Sequence, residues 1–153
     1  MKVAEALALR ADAARRVEQL KARIVANARF QEGEEPSEHA SALLAESAEV
    51  LDELESLIRR INRTNAAAVI GPEGTLTDAL AARDVLRLRH SVITAAANAA
   101  AGGPHNRQLR SELKMLSALP VAVLRTQADE LARRIRELDT SIQRANWEVD
   151  LLD

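Results

Sequence analysis

The chain has 153 residues, is 47% apolar but only 1% aromatic, and carries five glycines, four prolines, no cysteine and a net charge of −2. The missing cysteines exclude disulfides, thiolate metal sites and a cysteine nucleophile. Near-neutral charge, with Phe30 and Trp147 as the two aromatics, excludes the basic field and stacking rings of a nucleic-acid binder.

Length predicts a single domain, residues 1–153, with a core built from Leu, Ile, Val and Ala. Abundant Ala and Arg with little Gly or Pro predict an all-α, cytosolic protein. Met1 to Ala14 carries Lys2, Glu5, Arg10 and Asp12, which interrupt any apolar signal segment. The uncharged run Ser91–Pro104 is too short and too rich in Ala and Gly to span a bilayer. Charge is strongly segregated. Residues 1–30 hold seven Lys/Arg against three acids, and residues 31–57 hold nine acids and no Lys/Arg. Such blocks suit complementary pairing between neighbouring helices or subunits.

The first helix is predicted over residues 2–30, with a seam of Val3, Ala6, Arg10, Ala13, Val17, Leu20 and Ile24. Arg10 interrupts that seam and reads as a snorkelling or paired arginine at the bundle end. Asn27 reads as a polar residue at a fraying terminus, and Gln31–Glu35 as a solvated turn. The second helix, residues 36–65, is predicted to start at Pro36. Leu43, Val50, Leu54, Leu57 and Ile61 make one stripe; Leu44, Leu51 and Ile58 widen it enough to touch more than one neighbour.

Gly71-Pro72-Glu73-Gly74 is the next turn, and Thr75 with Asp78 forms a capping box for a third helix, residues 75–101. That helix has two apolar faces. One runs through Ala79, Leu86, Ile93, Ala97 and Ala100, with Arg83 and His90 at the same spacing; the other runs through Val85, Leu88, Val92, Ala96 and Ala99. Two faces place it centrally or at a subunit interface. Gly102-Gly103-Pro104 stops it. Residues 104–120 are the least regular, with a short extended piece possible near Leu113 and Met115. Pro120 opens the fourth helix, residues 120–151. Its apolar residues alternate in steps of 3 and 4 from Val121 through Leu124, Ala128, Leu131, Ile135, Leu138, Ile142, Ala145 and Val149 to Leu152. That is a heptad seam about 45 Å long, which needs a facing partner along its length. The expected fold class is all-α, an elongated antiparallel bundle of four long helices with coiled-coil-like packing.

Little in the chain carries chemistry. His39, His90 and His105 share no metal-ligand spacing, the Glu-x-x-His pairs of di-iron bundles are missing, and neither a phosphate loop nor a Gly-x-Ser-x-Gly elbow occurs. No metal, cofactor or catalytic residue is expected. The most unusual polar cluster is Asn62, Arg63, Thr64 and Asn65, followed by Thr75, Asp78, Arg83 and Asp84. With His90, it reads either as caps and ion pairs fixing a turn or as a small-ligand site. Asn146 and Trp147 form a third odd feature. Trp147 lies off the heptad seam and points to a second interface rather than a ligand platform.

The run Ile61-Asn62-Arg63-Thr64-Asn65, the segment Thr75-Leu76-Thr77-Asp78-Ala79-Leu80-Ala81 with Arg83-Asp84 and Leu86, and the pairs Leu138-Asp139, Ile142-Gln143 and Asn146-Trp147 resemble an uncharacterised bacterial helical family. Some of its members are labelled septicolysin. The likeness runs from Lys2, Ala4, Glu5, Ala6 and Leu7 to Trp147, and is loosest over residues 104–120. It implies a coiled-coil-rich helical protein without an established activity, while the label implies a cytolysin. The residues offer that label neither a spanning segment nor a cationic amphipathic helix with aromatic anchors. The expected function is therefore a non-enzymatic structural or interaction protein that pairs with itself, with no nucleic-acid or membrane partner. A ligand-binding protein or enzyme using the polar cluster, and a membrane-active protein, are the alternatives.

Overall fold

A computed structural model describes residues 1–102 and 113–153. The fold is all-α with four long helices: α1 (Val3–Asn27), α2 (Ala40–Ala67), α3 (Leu76–Ala100) and α4 (Val121–Glu148). The chain divides into two compact units, Met1–Val69 with Arg144–Asp153 and Ile70–Gln143. Gly103, Pro104 and His105 lie outside the described residues.

In the first unit α1 and α2 pair antiparallel. Ala13 and Leu20 of α1 pack with Leu43 and Val50 of α2, and Ala6 packs with Leu57 and Ile61. Burying each large aliphatic contributes about 1.5–3 kcal/mol. Polar rungs fix the same register: Arg16 bonds Glu46 at 2.7 Å, and Arg23 bonds Glu38. Pairs this exposed each add only about 0–1 kcal/mol, so they select the register more than they stabilise it.

The loop between these helices is more tightly built than the sequence implied. Helix α2 starts at Ala40, not at Pro36, with His39 extended as its N-cap. Glu38 is already committed elsewhere: its backbone N–H donates to Asn27 Oδ1 at 3.0 Å, and its carboxylate binds Arg23. Asn27 is thus no fraying residue, since its amide also donates to the Arg23 carbonyl at 2.9 Å. Arg10 is exposed on α1.

The end of the chain departs furthest from the predicted helix. Helix α4 stops at Glu148, and the next residues run extended beside the start of the chain. Val3 N–H donates to the Val149 carbonyl at 3.1 Å, and Leu151 N–H to that of Met1 at 2.8 Å. Leu152 N–H donates to Thr64 Oγ1 at 2.9 Å, while that hydroxyl donates to the Arg60 carbonyl at 2.8 Å. Lys2 pairs with Asp150 at 2.8 Å, and Arg60 reaches the Leu152 carbonyl and the Asp153 carboxylate. Leu151 fills the Ala6–Leu57–Ile61 cluster, whereas Leu152 is half-exposed. These backbone bonds and one buried leucine outcompete another helical turn, which the 3.6 period alone could not reveal.

In the second unit α3 and α4 also pair antiparallel. Asp139 accepts from Arg83 and Arg87 at 3.2 Å, and Asn98 accepts from Arg125 at 2.7 Å. Leu76, Ala79, Leu86 and Ala97 of α3 are buried, as are Leu124, Ala128, Leu138 and Ile142 of α4. The preceding turn is closed by Ile70 N–H donating to the Gly74 carbonyl at 2.8 Å. Gly74 has φ +94°, and a Cβ there would lie 2.7 Å from Asp78 Oδ2, so only glycine fits beside the cap. Thr75 and Asp78 form the expected capping box. Gly102, at φ +89°, ends α3. Residues 113–120 hold no strand, and Leu113, Met115 and Leu116 are exposed.

Candidate functional site

The residues singled out as a polar cluster fall into both units. In the first, Asn62 is exposed, Arg63 donates to the Asp153 carbonyl at 3.1 Å, and half-buried Asn65 keeps a buried Oδ1 without a hydrogen bond. In the second, Thr75 N–H and hydroxyl donate to Asp78 at 2.9 and 2.8 Å. The backbone bond first, then the hydroxyl, holds the Asp78 carboxyl below the usual range. Arg83 is engaged by Asp139 and stands 3.7 Å from the exposed Asp84, and His90 is half-buried. Arg63, Asp78 and Arg83 are therefore occupied with structural bonds. Asn146 is buried within the chain, while Trp147 stands 63% exposed on the outer side of α4, where its position off the seam puts it.

Two surfaces offer more. The first is the outer stripe of α2. Leu43, Val50, Leu57 and Ile61 are buried against α1, but Leu44, Leu51 and Ile58 are 56%, 47% and 38% exposed. One facing helix covers one stripe only. Charges without an ion pair among the described residues are mixed on α1, with Arg10 and Lys21 beside Glu5 and Glu18, and mainly acidic on α2, with Glu49, Asp52 and Glu53 beside Arg63.

The second surface is the α3–α4 pair. The second stripe of α3 (Val85, Leu88, Val92) is exposed and borders a groove of about 810 Å³ with Ile93, Leu131 and Glu130. Towards the 70–74 turn, a cleft of about 340 Å³ is lined by Arg89, Arg134, Glu137 and Ser141 over Leu86 and Leu138, with Ile70, Pro72 and Glu73 from the turn. None of Asn62, Arg63, Asn65, Asp78, Arg83, Asp84 or His90 lines it. Sequence reading missed Arg89 and Arg134 because both look like solvated helix charges. They come opposite one another only in the register that pairs Arg83 with Asp139 and Asn98 with Arg125. Among the described residues, no three His, Asp or Glu side chains gather as a metal site, and no helix is long and apolar enough to cross a membrane.

Fold and surfaces together define a helical-hairpin protein whose helices carry more apolar surface than the chain covers. The chain belongs to a family of unknown function, DUF6847, whose pattern matches residues 10–151. It is similar to a solved structure, described as a functionally unknown conserved protein from Corynebacterium diphtheriae, with 36% identity, a TM-score of 0.89 and 99% of each chain covered. No curated protein matches it.

Proposed function

We propose that this chain is a non-enzymatic, cytosolic interaction protein that works as a homo-oligomer, with the outer stripe of α2 covered by a second copy. The observation that carries this is α2's exposed heptad row, Leu44, Leu51 and Ile58, running beside a fully packed one. Charge selects a second copy over an unrelated partner. A two-fold axis lays one copy's basic α1 against the other's acidic α2, so Arg10 and Lys21 meet Glu49, Asp52 and Glu53 without any change of sequence. The cysteine-free composition fits a reducing compartment. Trp147 offers a further contact at its exposed ring.

The measurement is solution mass by light scattering after size exclusion, on the wild type and on Leu44→Glu/Leu51→Glu. The wild type is expected to run as a defined oligomer and the variant as a monomer with unchanged helical circular dichroism. A monomeric wild type, or an oligomer indifferent to both glutamates, overturns the interface. A monomer with measurable turnover overturns the non-enzymatic reading as well. Cytolysis, which the septicolysin-labelled resemblance implies, is tested separately as dye release from liposomes; none is expected.

A further inference from the structure

We infer that the cleft between α3, α4 and the 70–74 turn binds a small organic anion, a carboxylate or phosphate ester with an apolar body. The antiparallel register is set by Arg83 with Asp139 and by Asn98 with Arg125, both complementary pairs. In that register Arg89 falls opposite Arg134, and both side chains line the same cleft. Like charges set across a helix pair repel, and neither guanidinium has a hydrogen bond or ion pair among the described residues.

The acids nearby offset this only in part: Arg134 acts on Glu130 through space without an ion pair. Glu137, which lines the cleft, is bound by Arg133 at 2.8 Å, and Glu130 by the same Arg133 at 2.5 Å. Glu73, from the turn, is the one lining acid without an ion pair among the described residues. Two guanidinium forks lining one cleft offer paired donors to the oxygens of a carboxylate or phosphate. Below them Leu86 and Leu138 make a buried floor, with Val85 and Ile70 beside it, which an apolar body covers. A volume of about 340 Å³ sits at the small end of the ligand-pocket range of roughly 300–1,000 Å³, so the ligand is a short-chain acid or one with one or two rings. The inference uses residues of the second unit alone and does not depend on self-association.

The test is calorimetric titration of the full chain with 1-naphthyl phosphate, and with uncharged 1-naphthol as the comparison. The wild type should take up one naphthyl phosphate per chain saturably and no naphthol. Arg89→Gln and Arg134→Gln should each weaken binding at least about tenfold, the loss of one charged hydrogen bond. Arg136→Gln, a neighbouring helix charge outside the lining, should leave it within about twofold. Nitrogen-15 spectra of the wild-type arginine side chains give a reading independent of variants: the Arg89 and Arg134 signals should shift on addition of naphthyl phosphate. No saturation at millimolar concentration, equal affinity in either glutamine variant, equal binding of naphthol, or unmoved arginine signals overturns the inference.

Discussion

The α1–α2 hairpin and the α3–α4 hairpin solve the same packing problem with different residues. Both are antiparallel and both are indexed by charged rungs: Arg16–Glu46 and Arg23–Glu38 in one, Arg83–Asp139 and Arg87–Asp139 in the other. The first seam sets Leu20, Leu43, Val50, Leu57 and Ile61 around Ala6 and Ala13, and its end is sealed by Leu151. The second interleaves Ala79, Ala97 and Ala128 with leucines, and leaves a groove and a cleft along its flank. Large branched side chains close a two-helix seam. Alanines fill little of it, so the flanking side chains stand over open space. The second hairpin is therefore the half of this comparison whose flank has room for a guest.

The sharpest way to break that contrast is to hollow the tighter seam. Ile61→Ala should cost about 2–5 kcal/mol, because Ile61 is almost wholly buried. Leu86→Ala in the second hairpin should fall at or below the low end of that range, since its side chain already borders a cleft. Urea denaturation of both variants measures the difference; equal losses would mean that the two seams are equally packed. Next in size is Thr64→Val, which should cost about 1–3 kcal/mol by stranding the Leu152 N–H that Thr64 accepts. Amide exchange of Leu151 and Leu152 should accelerate, while amides of α3 stay protected.

Thr75→Ala should cost about 1 kcal/mol by removing the cap of α3, and should loosen the second hairpin only. The smallest effect is acid sensitivity, which the hairpins share. Arg23 lowers Glu38, Lys2 lowers Asp150, Thr75 lowers Asp78 and Arg133 lowers Glu130, each by hydrogen bonding first. All four carboxyls bind protons more weakly folded than unfolded. Their stabilisation is present above the ordinary carboxylate range and is lost as pH falls through their lowered values. The melting temperature should therefore drop modestly below about pH 4, and less steeply in Glu38→Gln/Asp150→Asn.

The helices were legible because their apolar residues repeat at 3.6 and their ends carry local signals. Thr75 with Asp78 predicted the start of α3 to within one residue. The misreadings share a cause. Pro36 and the seam positions Val149 and Leu152 look helical locally, but Glu38 is held by Asn27 and Arg23, and Leu152 by Thr64, across long stretches of chain. A period in one segment cannot report a partner in another. The two apolar rows of α2 and α3 were visible as patterns, whereas which row would be covered depended on a register that only the folded hairpins display. The cleft was invisible for the same reason: Arg89 and Arg134 are ordinary until α3 and α4 are set side by side.

The strap formed by residues 149–153 also orders events in time. Lys2 closes on Glu148 across 146 positions of sequence, while each hairpin is built from nearer neighbours. Contacts this distant form late, after local ones have condensed. During synthesis α1 and α2 can zip together from near neighbours, but Leu151 is missing from their core and Thr64 lacks its donor until residues 149–153 have been made. The α1–α2 unit is thus begun well before it is finished, and a chain stalled before Leu151 exposes Ala6, Leu57 and Ile61 to whatever quality control awaits it.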